Sequence, residues 1–239
     1  MVNRPPRLFG AVLLAGIILL AGCSGLTATE QQPPTSQPTV ENFSYPSGWS
    51  QEGMTNLLDV RQTHVESLAN VSRTSRFVHG SQNGNRTLVR TIDTDAGTGS
   101  VRFIDSRLHI DRHTYYNSEG VFEYDKNTRE LSRMPGKNWT KAEVATQRIQ
   151  RPLNELEMKP TETVTVEGVT AIRYTVTGIK DQDSVPPNIA TGYVTVTEEG
   201  YIAEYNIMRG YDVFTHQTVY DLSAVGNATV TRPVWMPDE

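Results

Sequence analysis

Few residues in this chain are of a type and spacing that could do chemistry. His109, Asp111 and His113 alternate along an expected strand, so all three would share one face, and imidazole with carboxylate is a metal-ligand combination. At a rise of about 3.3 Å per residue the neighbours stand ~6.6 Å apart and the outer pair ~13 Å, too far to share one ion on a straight strand. The reading is therefore a polar strand face with no metal. His64, His79 and His216 are scattered and suggest no partner. Glu198-Glu199 and Asp181 with Asp183 fall in turn-like sequence and read as solvated loop charges. No glycine-rich stretch ends in Lys-Ser or Lys-Thr, and there is no His-Glu-x-x-His. Gly80-Ser81-Gln82-Asn83-Gly84 has the wrong register for a nucleophile elbow. A single cysteine, Cys23, rules out an intramolecular disulfide and a cysteine-based metal centre. The expectation is a protein with no catalytic residue, no cofactor and no enzymatic activity.

Cys23 has a purpose in its position. Arg4 and Arg7 precede an unbroken run of apolar residues and glycine from Leu8 to Ala21. A bilayer crossing needs ~20 such residues, so this run is short for a permanent span and fits the core of a signal peptide. It ends in Leu20-Ala21-Gly22-Cys23-Ser24-Gly25, which resembles the lipobox of bacterial and archaeal lipoproteins. That resemblance implies that small Ala21 and Gly22 open the cleavage bond to the peptidase. It also implies that the Cys23 thiol carries the lipid. Residues 1–22 are then a signal peptide, and the mature protein is expected on the outer face of the cell membrane, held by lipid on Cys23.

Residues 23–48 are rich in Thr, Gln, Pro and Ser without hydrophobic period, the composition of an extended tether. Residues 49–239 are of a size for one domain. The 239-residue chain carries a formal charge of −5. Loss of residues 1–22 removes Arg4 and Arg7 and no acid, making the mature chain more negative still. That balance excludes a nucleic-acid binder, which needs a basic face. Arginine in excess of lysine and abundant threonine suggest a GC-rich genome, such as a halophile's. Asn-x-Ser/Thr acceptors stand at Asn42, Asn70, Asn85, Asn138 and Asn227, in keeping with a glycosylated surface protein.

The domain is expected to open with a helix, because Met54, Leu57, Leu58, Val65 and Leu68 fall on one stripe, with Ser50 as its N-cap. The period then becomes two. Strand-like runs cover 76–82, 86–93, 100–105, 108–116 and 121–125, separated by Gly and Asn turns. A second helical stretch is expected from about Lys141 to Glu157, broken at Pro152. Strands resume at 163–167, 169–178, 191–197, 201–209 and 213–222. A large antiparallel sheet of that length must curl. With two helices to cover its concave face, the fold class is α+β, an open half-barrel under a helical lid.

This order of elements resembles the lipoprotein-carrier fold, shared by the periplasmic lipoprotein carrier and mycobacterial lipid-binding lipoproteins. Gly192-Tyr193-Val194-Thr195-Val196-Thr197-Glu198-Glu199-Gly200-Tyr201 resembles that family's strand, acidic glycine turn and strand. Val219-Tyr220-Asp221-Leu222-Ser223 and the later Thr231-Arg232-Pro233 resemble its closing strand and terminal proline. The whole chain also resembles surface lipoproteins of halophilic archaea. In a carrier-type half-barrel Tyr115, Tyr174, Tyr193, Tyr201 and Tyr205 would line a cavity for a lipid or other apolar ligand. The alternative is the same fold packed solid, used to dock or sense envelope proteins. A continuous cavity under the lid favours the first, and a filled barrel with an exposed apolar patch the second.

Overall fold

Period-two patterning runs through most of the chain, and the computed structural model pairs it into one large sheet. The structure describes residues 38–135, 153–180 and 187–236, which belong to a compact unit, Gln37–Glu239. A 3-10 turn at Val40–Asn42 leads to a small hairpin of β1 (Trp49–Ser50) and β2 (Gly53–Met54), then to helix α1 (Leu57–Leu68). A first meander follows: β3 (Arg73–Ser81), β4 (Gly84–Asp93), β5 (Thr98–Asp105), β6 (Ile110–Asn117), β7 (Gly120–Asp125) and β8 (Glu130–Pro135). The second comprises β9 (Leu156–Val166), β10 (Val169–Ile179), β11 (Ile189–Thr197), β12 (Ile202–Gly210) and β13 (Thr215–Ser223).

Every neighbour in the sheet is antiparallel, and β13 zips onto β3 to join the two meanders. The spatial order is β8-β7-β6-β5-β4-β3-β13-β12-β11-β10-β9, leaving β8 and β9 as edges. The sheet curls without closing, the open half-barrel the alternation demands. Register puts Tyr205, Tyr220, Phe77, Leu88 and Phe103 in one cross-strand row from β12 to β5. Such rows of aromatic and apolar pairs are what hold neighbouring strands in phase.

α1 lies against the β9–β13 end of the concave face. Its buried residues are Val60, His64 and Leu68, whereas Leu58 is 69% exposed, so the expected stripe is rotated from the real one. The N-cap is Asn56, whose Oδ1 accepts the Leu58 N–H at 2.9 Å, and not Ser50, which lies in the β1–β2 hairpin. At the other end the buried Arg73 guanidinium donates to the carbonyls of Leu68 and Val71 at 2.6 and 2.7 Å. It thereby satisfies carbonyls that a helix end leaves open.

Three further boundaries differ from expectation. Strand β8 completes a six-stranded first meander where five strands were expected. Residues 141–152 of the second helical stretch lie outside the described residues; Leu153 and Asn154 are helical, but Leu156 and Glu157 already belong to β9. Residues 38–48, expected as tether, join the fold. Phe43 is buried in the core, Val40 and Tyr45 pack on it, and Thr163 Oγ1 donates to the Pro38 carbonyl.

Candidate functional site

The concave face under α1 is where a carrier would hold its ligand. There Tyr174 and Tyr205 are fully buried and Tyr201 nearly so, packed with Ile172, Val194 and Ile207. Trp49 lies against Tyr174 with ring centroids 4.6 Å apart, and the Tyr174 hydroxyl donates to the Ser50 carbonyl at 3.0 Å. Tyr205 stacks on Tyr220 at 5.3 Å. Burial drives the phenols of Tyr174, Tyr201 and Tyr220 above their ordinary pKa, so these rings are neutral core. The space beneath α1 is occupied by Val60, His64 and Leu68 from above and by these tyrosines from below.

The other two expected lining residues are elsewhere. Tyr193 is on the opposite face, under the Arg173 guanidinium at 4.7 Å. Arg173 also pairs with Glu162 and Glu204 at 2.8 and 3.0 Å, making an outer polar network across four strands. Tyr115 also faces away from α1. There the C-terminal tail folds back, and Met236, Trp235 and Val230 pack on Tyr115 and Phe122. Trp235 stacks on Tyr124 at 5.4 Å and its Nε1 donates to His113 Nδ1 at 3.0 Å. The sheet is thus covered on opposite faces at its two ends.

His109, Asp111 and His113 do not converge. His109 is in the turn before β6 with φ of 52°. Asp111 is held by Arg102 at 3.0 Å and Lys126 at 3.6 Å, which keep its carboxyl below the usual range. His113 is hydrogen-bonded to Ser100 and Trp235. Among the described residues no group of three or more ligand-type side chains could hold a metal. Glu198 and Glu199 sit in the β11–β12 turn, whereas Asp181 and Asp183 lie outside the described residues.

Cys23, Ala21, Gly22 and Asn138 likewise lie outside the described residues. Asn42, Asn70, Asn85 and Asn227 are all exposed. Sequence reasoning missed Trp49, His64 and Arg73. A buried histidine and arginine resemble surface residues in the sequence, and only the fold reveals that each satisfies backbone groups.

Among the described residues two clefts open on the surface. One, about 240 Å³, lies between β2 and the β9–β10 pair, with Met54, Leu156, Met158 and Lys159 in its walls. The second, about 230 Å³, opens where β3, β4, β5 and β13 end or begin, beside His79, Arg86, Asp105 and His216. Both are below the ~300–1,000 Å³ typical of sites that enclose a sizeable organic ligand.

No protein-family model matches the sequence, and no curated protein matches it. Solved structures are similar at low identity. A LolA-superfamily protein from Nitrosomonas europaea aligns at 7% identity and TM-score 0.27, covering 73% of this chain and 94% of that one. The Pseudomonas aeruginosa MucA/MucB complex aligns at 13% and 0.34, covering 76% and 66%. An uncharacterized conserved protein from Thermus thermophilus aligns at 9% and 0.31, covering 72% and 88%. Superpositions this loose bear on neither fold nor function, and the half-barrel stands on its own strand order.

Proposed function

We propose that this chain is a lipid-anchored, non-enzymatic surface protein that docks envelope partners on a half-barrel whose space beneath the helix is already filled. One observation carries the reading: Tyr174 and Tyr205 are fully buried against α1 and its hairpin, where a carrier would need room for an acyl chain. The anchor half of the proposal rests on the sequence around Cys23 alone.

A second reading, uptake of a lipid or other apolar ligand, has one observation in its favour. Phe77, Leu88, Val101 and Phe103 continue the same face beyond α1 and are half-buried. Titration of the full chain with a fluorescent long-chain fatty acid separates the two. The filled half-barrel predicts no saturable uptake, whereas one tightly bound probe per chain would establish the second reading. Membrane fractionation tests the anchor: Cys23→Ser should leave the membrane or remain as uncleaved precursor. Normal processing with unchanged membrane retention would end that part of the proposal.

A further inference from the structure

We propose that the cleft walled by His79, Arg86, Arg107 and His216 is a binding site for a phosphate group. The site is independent of what the half-barrel does beneath α1. It has a volume of about 230 Å³ and lies on the concave face at one end of the sheet.

Its charge balance is cationic. The carboxylate in its wall, Asp105, is buried and fully engaged. Its Oδ2 accepts the Arg86 Nε–H at 2.6 Å, and its Oδ1 accepts the backbone N–H groups of Arg107 and Leu108, both at 3.0 Å. Arg107 itself makes no ion pair among the described residues. The imidazoles of His79 and His216 stack with centroids 5.0 Å apart, and His79 Nδ1 is within hydrogen-bonding distance of Thr218 Oγ1.

Behind the wall of the cleft two polar atoms are buried without a partner. His216 Nδ1 is buried with no hydrogen-bond partner among the described residues, and so is Nε of Arg209. Register makes Arg209 and His216 direct cross-strand neighbours, and Arg209 is only 9% exposed, with Glu155 on its other nitrogen. In the wall itself stand the exposed Arg107 guanidinium and the imidazoles of His79 and His216, groups that recognise a phosphate oxygen.

The rim is apolar. Val213 is 80% exposed, and Phe214 packs on His216 at 4.8 Å. Leu108, next to Arg107, is 53% exposed. A phosphate carried on a lipid would set its acyl chains against these side chains, whereas free phosphate would use the cationic wall alone.

The test is isothermal titration of the full chain in a non-ionic detergent with inorganic phosphate and, in parallel, with dihexanoyl phosphatidic acid. The wild type should bind saturably in at least one arm. Binding of both probes with equal affinity identifies free phosphate as sufficient, and preference for the lipid identifies a headgroup. In either case His216→Gln and Arg107→Gln should each weaken binding roughly tenfold. Arg107 is exposed on a turn, so its variant keeps the test meaningful if His216→Gln unfolds. No saturable binding of either probe, or variants that bind like the wild type, would overturn the site.

Discussion

His64 Nδ1 accepts the backbone N–H of Ile202 at 3.0 Å across the seam between α1 and β12. This bond fixes the tautomer, with the proton on Nε2. The ring is fully buried, and desolvation, with Arg73 nearby, pushes its pKa down to about 3. The unfolded chain takes up a proton near the ordinary histidine pKa of ~6.5, and the folded chain does not until about 3. The stability this histidine contributes is therefore complete above ~6.5 and is lost progressively as pH falls toward 3, by up to about 5 kcal/mol. Thermal melts between neutral pH and mild acid should show this decline. His64→Gln, which keeps an acceptor but cannot titrate, should flatten it.

Arg73 should be the costliest surface-looking residue to remove. Its guanidinium is tied to Leu68 and Val71 carbonyls at the end of α1. Arg73→Met keeps the buried stem and deletes those donors, with an expected loss of about 2–4 kcal/mol. The urea midpoint of unfolding measures it, and a change below ~0.5 kcal/mol would deny the capping role.

Gly192 on β11 has φ of +133° and approaches β12 so closely that an added Cβ would meet the Asn206 carbonyl oxygen at 1.9 Å. Gly192→Ala must shift one strand or lose the ladder there. The expected destabilisation is about 3 kcal/mol or more, read as a fall in melting temperature.

The C-terminal tail behaves as a separate clasp on the opposite face. Trp235→Ala removes the stack on Tyr124 and the bond to His113. It should expose Tyr115 and Phe122, raise binding of an apolar dye, and leave the far-ultraviolet circular dichroism nearly unchanged. A cooperative loss of the whole fold would contradict that division.

Much of the sheet was legible because its late strands alternate cleanly. Tyr205 and Ile207 share one face with Asn206 opposite, and Ile172, Tyr174 and Val176 do the same against Arg173. Strand β8 was not legible, since Glu130, Ser132 and Met134 on an exposed edge carry no hydrophobic alternation. The face of α1 was misjudged because its buried stripe includes a histidine and its exposed side a leucine. Alternation also cannot say which face of a curled sheet is covered. Tyr115 and Tyr193 therefore read as cavity residues, while the tail covers one and Arg173 the other.

Native mass spectrometry of the full chain, extracted from its own membrane, tests the filled half-barrel most directly. The account predicts a mass equal to the processed polypeptide with its covalent lipid, any further lipid being held at the phosphate cleft and lost in Arg107→Gln. A reproducible second lipid at one per chain that persists in Arg107→Gln would contradict it and make the chain a carrier.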